Sequence, residues 1–207
     1  MLVSLVSQKG GVGKSSLART LAAEFTKHGW DTLLADTDYQ QSTSFRWCER
    51  RKSDNTLRSV ESRLFRLVSD AIRADNSDYD LVILDGAPQS SKGTLDAARA
   101  STLTIIPTGT SVDDLEPAIK LANELSGEVD SKIVFVLMKS TSDFQERESR
   151  ETIENLGFTV LGGAIPMKSG YIEALDKGFA LTETKYDSLN SAASRVMQSA
   201  INLIGEM

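Results

Sequence analysis

The chain has 207 residues, a mass of 22.5 kDa and a formal net charge of −6. A chain of this length can bury a core without disulfides or metals, and we expect a single domain over residues 1–207. The only cysteine, Cys48, excludes an intrachain disulfide framework and argues against a multi-cysteine metal site. The negative charge excludes a globally basic coat for nucleic acid, although a local basic patch remains compatible with it.

The apolar segments are too short for a membrane span. The longest purely apolar run is Ile133–Met138, far below the length that crosses a bilayer. The first residues, MLVSLVSQKGG, have no basic lead-in before the apolar stretch and so do not read as a signal peptide. We therefore expect a cytoplasmic protein in a reducing compartment.

Short apolar strands alternate with amphipathic helices along the chain. In chain order the pattern predicts strand Leu2–Val6, helix Ser15–His28, strand Thr32–Ala35, helix Leu57–Ala74, strands Leu81–Leu84 and Leu103–Ile106, helix Asp113–Leu125, strand Ile133–Met138, helix Glu146–Leu156, strand Thr159–Ile165 and helix Leu189–Ile204. Strands that are apolar on both faces predict an α/β fold, a three-layer sandwich with a mostly parallel sheet. Ligands of such folds bind at the carboxyl ends of the strands.

The segment Ser7–Ser16, between the first strand and the first helix, has the composition of a phosphate-binding loop. Its three glycines let several backbone N–H groups converge on an anion, and the following helix adds the positive end of its dipole. Lys14 can reach the β- and γ-phosphates of a nucleotide, and the Ser15 hydroxyl can ligate Mg²⁺. Gln8 stands where the usual motif has glycine. The alternative, a glycine turn that only caps a helix, explains less of this order of elements.

Three aspartates follow predicted strands. Asp36 lies nearest the end of the second strand and is placed to meet Mg²⁺ directly or through water. Asp38, one step further out, is placed to orient an attacking water. Asp85 ends the third strand and reads as the carboxylate that holds a water ligand of Mg²⁺. The alternative for Asp36 and Asp38 is that each only caps a following helix.

The segment Lys9–Ser15 resembles the deviant Walker A motif of the ParA/MinD family of ATPases, and Gln8 matches ParA-type members. The resemblance implies a P-loop NTPase fold and a cofactor pair of ATP and Mg²⁺. It also implies that Lys9 reaches the partner's ATP across a nucleotide-sandwich dimer; the alternative is a solvated surface lysine. Asp36–Gln40 looks like the family's Asp-x-Asp-Pro-Gln motif, with Tyr39 in place of proline. Gly86–Pro88 resembles the family's small-residue and proline turn.

The candidate site residues divide by role. The catalytic set is Lys9, Lys14 and Asp38. The metal set is Ser15, Asp36 and Asp85. The nucleotide-binding set is Lys9, Gly10, Gly11, Val12, Gly13, Lys14, Ser15, Ser16, Pro166 and Met167, where the last two lie where relatives commonly meet the adenine.

A basic region favours an anionic partner. Residues 45–75 carry eight arginines and lysines against five acidic residues. The candidate DNA contacts are Arg50, Arg51, Lys52, Lys168 and Lys177. For any single arginine a solvated helix face is the alternative, and Trp47 within the cluster is expected to pack in the core.

Three functional classes fit these features: a DNA-partition switch, a MinD-like membrane-surface positioning ATPase, and a metabolic ATP-using enzyme on the same fold. A membrane switch needs a basic amphipathic terminal helix, but the predicted helix Leu189–Ile204 has one basic residue and reads as core. His28 reads as a helix cap, and no second catalytic constellation supports the metabolic class.

The partition class is favoured. The chain resembles small plasmid-partition ParA proteins that lack an N-terminal DNA-binding region. This resemblance implies a slow, Mg²⁺-dependent ATPase that forms a homodimer in the ATP state and binds DNA without sequence preference. A centromere-binding adaptor then stimulates hydrolysis and release. We expect a nucleoid-associated protein without membrane contact.

Overall fold

The computed structural model describes residues 1–74, 79–86 and 91–207. Its strands are β1 (Leu2–Leu5), β2 (Thr32–Asp36), β3 (Glu61–Leu64), β4 (Leu81–Asp85), β5 (Leu103–Thr108), β6 (Lys132–Ser140) and β7 (Thr159–Pro166). They form one sheet in the order β3-β2-β4-β1-β5-β6-β7, and every neighbouring pair is parallel. The predicted α/β class with a parallel sheet is confirmed.

Helices cover both faces of this sheet. They are α1 (Lys14–Lys27), α2 (Thr43–Lys52), α3 (Val68–Arg73), α4 (Ser91–Ala100), α5 (Val112–Ser126), α6 (Asp143–Asn155), α7 (Ser169–Asp176) and α8 (Asp187–Gly205). One apolar cluster joins the sheet to α1, α2, α7 and α8. Two further clusters join the opposite face to α3, α4, α5 and α6. The result is the three-layer sandwich expected of apolar parallel strands.

The central strands are buried on both faces because successive side chains point to opposite sides. In β4, Leu81 and Ile83 enter the cluster under α1, whereas Val82 and Leu84 enter the cluster under α3 and α4. β1 lies between β4 and β5. The strands β2, β3 and β4 lie on one side of β1, and the later strands β5, β6 and β7 lie on the other side. A crevice therefore opens at the carboxyl end of β1, which is where such folds bind ligands.

The predicted helix Leu57–Ala74 is wrong. Residues 61–64 instead form the edge strand β3, paired in parallel with β2, and only the six residues of α3 are helical. Val60 is fully buried while Leu67 is largely exposed, so the apolar residues do not share one helical face. The free edge of β2 supplies backbone hydrogen bonds that override the local helical spacing.

The hydrophobic pattern of the sequence did not predict the helices α2, α4 and α7. α2 buries only Trp47 and Cys48 among its apolar side chains, so its amphipathic signal is weak. α7 is only eight residues long, and Leu95 is the one large apolar residue of α4. Trp47 itself is fully buried, as predicted.

The predicted bounds of the helices that correspond to α1 and α8 agree with the structure to within two residues. His28 is the C-cap of α1, and Gly29 follows with a φ of 90°, a left-handed conformation that favours glycine. The apolar stripe of α8 includes Val196, Met197 and Ala200 and is buried against the sheet. The interpretation of this helix as core is therefore confirmed.

Candidate functional site

The loop after β1 wraps around the start of α1 at the carboxyl edge of the sheet. Gly11 and Gly13 have φ values of 76° and 96°, which turn the chain sharply before Lys14 begins the helix. A Cβ on Gly13 would lie 2.7 Å from the Met138 methyl carbon, so β6 packs directly against this turn. The glycine spacing is therefore required by both the backbone conformation and the packing of the loop.

A cleft of about 400 Å³ opens over this loop. Its walls come from the loop itself, from the segment after β2, from the end of β6 and from the first turn of α7. The lining residues are Ser7, Lys9, Gly10, Gly11, Val12, Gly13, Lys14, Ser15, Ser16, Asp38, Gln41, Thr43, Lys139 and Ile172. The structure thus brings together the predicted loop residues and Asp38 at one cavity, of a size that suits a nucleotide.

Lys14 is buried, with only 8% of its surface exposed. Its Nζ lies 3.3 Å from Asp85 Oδ1 and also donates to the carbonyl oxygen of Gly86. An ammonium group at this depth is held by a carboxylate and a carbonyl because an unpaired buried charge is costly. Lys14 therefore lies at the floor of the cleft, and its contact with nucleotide phosphates stays a prediction.

Lys9 lies at the rim of the cleft and is half-exposed. Its Nζ is 2.5 Å from Asp114 Oδ1 and 3.5 Å from the Asp113 carbonyl, at the start of α5. The hydrogen bond to Asp114 raises the pKa of Lys9. In a single chain Lys9 thus points away from the loop interior toward α5.

Asp36 is fully buried, and backbone donors occupy both of its carboxylate oxygens. Oδ2 accepts the N–H groups of Ser44 and Phe45 at 2.9 and 3.0 Å, and Oδ1 accepts the N–H of Asp38 at 3.0 Å. Burial raises the pKa of Asp36, although these three N–H donors oppose the shift. The contacts of Asp36 with the first turn of α2 are thus those of a helix cap, which was the alternative for this residue. Its role as a metal ligand, directly or through water, stays a prediction.

Asp38 lies in the loop after β2 and lines the cleft. Its Oδ1 accepts the Gln41 N–H at 3.1 Å, which fixes the turn that leads into α2. The side chain therefore combines a local turn contact with a position facing the loop. Its role in hydrolysis stays a prediction.

Asp85 ends β4 directly beside Asp36, since the two residues are register partners in the parallel pair. Oδ1 accepts Lys14, and Oδ2 accepts the Ser44 hydroxyl at 2.7 Å. Ser44 Oγ in turn accepts Arg19 Nε at 3.0 Å. Sequence reasoning missed both Ser44 and Arg19, since α2 was not predicted and Arg19 looked like one residue on the face of α1.

Lys139 was also missed. Its backbone has a left-handed conformation with a φ of 56°, next to a register irregularity at the end of β6. Its Nζ lies 2.5 Å from the Gly11 carbonyl, which adds a third lysine to the cleft. Its place at the carboxyl end of a predicted strand was the signal that would have found it.

The structure does not bring every predicted nucleotide contact to the cleft. Pro166 ends β7, and Met167 follows the strand and is 65% exposed. Neither belongs to the described residues that line the cavity. Their contact with an adenine stays a prediction. Ala87 and Pro88, assigned by resemblance to a small-residue turn, lie outside the described part of the chain.

Four of the five candidate DNA contacts are exposed: Arg50, Lys52, Lys168 and Lys177. Lys52 pairs with Glu49 and Lys177 with Glu173, both at the surface, where such pairs contribute little to stability. Gly178, next to Lys177, lies against the backbone of Arg50 and Arg51. Arg50 and Lys177 therefore belong to one surface formed by α2 and the end of α7.

The prediction that Arg51 contacts DNA is wrong. Its side chain is 1% exposed and forms a bidentate pair with Glu183, at 2.6 and 2.8 Å. It also donates to the Arg58 and Gly178 carbonyls and lies over the Trp47 ring. A run of basic letters does not show that the middle residue of the run points inward on a helix.

Arg51→Met is expected to lower the free energy of unfolding by about 3 kcal/mol, because Glu183 is left without its partner in a mostly buried setting. Urea denaturation at pH 7 measures this loss. Arg50→Met removes an exposed arginine from the same turn and is expected to change stability by less than about 0.5 kcal/mol. Equal effects of the two substitutions would contradict a structural role for Arg51.

The stability that Arg51→Met loses should depend on pH. Burial alone would raise the pKa of Glu183, but hydrogen bonds from Arg51 and the Ala180 N–H hold it below its ordinary value. A carboxyl with a lowered native pKa stabilises the fold above its unfolded pKa, and this contribution is lost as pH falls through the native pKa. The stability gap between wild type and Arg51→Met is therefore expected to narrow below about pH 4.

The parallel sheet, the glycine loop and its lysine together define a P-loop nucleotide-binding protein. Residues 3–180 match the model of the CobQ/CobB/MinD/ParA nucleotide binding domain, and the chain belongs to this family. A stretch of 45 residues is 42% identical to an uncharacterized protein of Methanocaldococcus jannaschii, a match that covers 22% of this chain and 17% of that relative.

Solved structures of three different proteins share the fold. The septum site-determining protein MinD of Pyrococcus horikoshii, complexed with Mg-ADP, has a TM-score of 0.76 at 16% identity over 99% of this chain and 97% of that one. A Borrelia burgdorferi protein described as a plasmid partition protein, bound to AMPPNP, has a TM-score of 0.73 at 16% identity over 98% of each chain. Cobyrinic acid a,c-diamide synthase of Mycobacterium smegmatis, with an ATP analogue and magnesium, has a TM-score of 0.71 at 19% identity over 97% and 94%.

Across residues 1–74, 79–86 and 91–207, no helix combines the length and apolarity needed to cross a membrane.

Proposed function

We propose that the chain is an ATP-dependent switch ATPase that dimerises around its nucleotides and segregates DNA. The observation that carries this proposal is the arrangement of two lysines at one loop. Lys14 lies at the floor of the cleft beside Asp85, whereas Lys9 lies at the rim and contacts α5. These positions support a role for Lys14 at the chain's own nucleotide and a role for Lys9 at the nucleotide of a second subunit.

The cleft suits a nucleoside triphosphate. Three lysines, the N-terminal end of α1 and the glycine turn favour phosphate groups at this edge of the sheet. Ser15 lines the same cavity, while the oxygens of Asp36 and Asp85 already accept protein donors. This donor set fits Mg²⁺ held by Ser15 and, through its waters, by the carboxylates, because Mg²⁺ commonly keeps several waters. When bound, Mg²⁺ neutralises charge that develops on the phosphates.

A second copy of the chain is the occupant that fits the rim of the cleft. Large apolar side chains beyond the ends of β5, β6 and β7 are more than half exposed: Val112, Phe144, Met167 and Ile172. Exposed apolar residues grouped around a polar centre are typical of protein interfaces. A partner there would bring its own Lys9 to the facing nucleotide and supply the positive charge that hydrolysis needs. Asp38, at the wall of the cleft, is placed to orient the attacking water.

The DNA-binding part of the proposal depends on the surface formed by α2 and the end of α7. Arg50, Lys52 and Lys177 are exposed there, and a dimer presents this surface twice. Doubling a modest basic patch converts weak phosphate contacts into salt-sensitive binding without sequence preference. An adaptor that recognises the DNA cargo would then stimulate hydrolysis and release the dimer.

Binding to random-sequence duplex DNA tests this function. With ATP we expect binding that weakens steeply as salt rises, and with ADP or no nucleotide we expect little binding. Arg50→Glu combined with Lys177→Glu should weaken ATP-state binding and lower the salt slope by about one for each phosphate that the variant no longer neutralises. The readout is fluorescence anisotropy of labelled DNA over a salt series.

A matched control keeps this test specific. Arg99→Glu combined with Lys120→Glu makes the same change in charge on α4 and α5, on the opposite face of the sheet. Equal losses in both double variants would mean that only net charge matters. No DNA binding by the wild type in any nucleotide state would overturn the segregation role, and binding to anionic vesicles would then favour a membrane-surface switch.

A further inference from the structure

Arg19 is a buried charge that neither the loop chemistry nor the core requires. It lies on α1, more than one turn after Lys14, and only 8% of its surface is exposed. Burial lowers the pKa of its guanidinium, and the charge of Asp85 opposes this shift. Arginine nevertheless stays protonated in proteins, so the buried cation must serve a hydrogen-bonded partner.

That partner is Ser44, which is itself fully buried. Arg19 Nε donates to Ser44 Oγ at 3.0 Å, and Ser44 Oγ lies 2.7 Å from Asp85 Oδ2. Because a guanidinium has no acceptor, the single hydroxyl hydrogen of Ser44 must go to Asp85. Arg19 therefore fixes the direction of the Ser44 hydroxyl, and Ser44 fixes one oxygen of Asp85.

Ser44 also links the two carboxylates at the sheet edge. Its backbone N–H donates to Asp36 Oδ2 at 2.9 Å while its hydroxyl donates to Asp85. The other oxygen of Asp85, Oδ1, lies 3.3 Å from the Nζ of Lys14, a residue that lines the cleft. Ser44 thus holds Oδ2 of Asp85, and Oδ1 is the oxygen on the Lys14 side.

We propose that Ser44 and Arg19 are positioning residues that orient the Asp85 carboxylate toward the Mg²⁺ of the nucleotide site. The proposal rests on the proposed function, since it takes a Mg-nucleotide as the ligand of the cleft. Neither residue lines the cleft. Ser44 acts through Asp85, and Arg19 acts through Ser44. Partners of this kind, one step behind a metal site, typically change metal affinity by about 10–100-fold when removed.

Ser44→Ala tests the proposal in the full-length chain. The probe is a fluorescent ADP analogue, titrated in EDTA and then at increasing Mg²⁺. In EDTA its affinity should stay within about twofold of wild type, because the loop and Lys14 are intact. The Mg²⁺ concentration that gives half of the affinity gain should rise at least about tenfold. Arg19→Met should shift the Mg²⁺ midpoint in the same direction, because Ser44 is then free to rotate.

Ser101→Ala is the matched control. Ser101 is a buried serine whose hydroxyl donates to the Ala97 carbonyl at 2.7 Å, away from the cleft, so its loss has a comparable packing cost. Its Mg²⁺ midpoint should equal that of wild type. Thermal melting of all variants reports folding, and Arg19→Met decides the outcome if Ser44→Ala does not fold.

The two proposals fail in different ways. An unchanged Mg²⁺ midpoint in the folded variants, or an equal shift in Ser101→Ala, would overturn the positioning role while ATP hydrolysis by the wild type stands. A wild type that hydrolyses no ATP would overturn the ATPase, although a shifted Mg²⁺ midpoint in Ser44→Ala would still support positioning. If Mg²⁺ does not affect nucleotide affinity in the wild type, the positioning role is wrong.

Discussion

Lys14→Ala is expected to remove nucleotide binding, with affinity for ATP at least about 100-fold lower, because hydrogen bonds to charged groups contribute about 1.5–3 kcal/mol each. The structure gives the reason. Lys14 Nζ is a buried ammonium at the floor of the cleft, held by Asp85 and by the Gly86 carbonyl rather than by solvent. Isothermal titration of ATP into each protein measures the effect.

The control for this substitution is Lys27→Ala. Lys27 lies in the last turn of the same helix, is exposed and lies 4.0 Å from Glu24. Its removal should leave ATP affinity unchanged. Because Lys14→Ala also removes a partner of buried Asp85, the melting temperature must show that the variant is folded. A folded Lys14→Ala protein with wild-type ATP affinity would mean that the glycine loop only caps a helix.

Much of the fold could be predicted from local pattern. The strands that are apolar on both faces, such as β4, leave little choice but a parallel sheet covered by helices. The edge strand β3 could not be predicted in this way, because its pairing with β2 is a tertiary contact. The segment that contains it, Leu57–Ala74, carries apolar residues at helical spacing, and only the unpaired edge of β2 selects the strand.

The candidate site was predictable where its residues are contiguous. The loop from Ser7 to Ser16 is read directly from glycine, lysine and hydroxyl spacing, and the structure places it at one cleft. Arg51 shows the limit of such reading, since three adjacent basic residues on a helix point in different directions. Lys139 and Ser44 reach the site from segments distant in sequence, and no spacing rule connects them to the loop.

The position of α2 connects the nucleotide cleft with the basic surface. Asp36 and Ser44 fix the start of this helix at the ends of β2 and β4. Arg50 and Lys52 lie two turns further along the same helix and face solvent. If the proposed function holds, we expect a change at these strand ends to shift α2 and, with it, the DNA-binding candidates that the helix carries.

Lys9→Ala is expected to separate nucleotide binding from dimerisation. The variant should bind ATP within a few-fold of wild type, because in one chain Lys9 contacts Asp114 and the Asp113 carbonyl rather than the loop interior. It should remain monomeric with ATP, and its turnover should fall about 10³-fold or more, as when a charge supplied by a partner is removed. Light scattering with ATP and a phosphate-release assay measure the two effects.

Lys120→Ala is the matched control, since it removes the same charge from an exposed position on α5 and should leave both measurements unchanged. The three possible outcomes assign Lys9 to different partners. Loss of ATP binding itself would place Lys9 on its own nucleotide. Normal turnover would make it a surface lysine whose pair with Asp114 is only local. Retained binding with loss of both dimer and turnover requires that Lys9 leave Asp114 for the facing subunit, so that hydrolysis waits for assembly.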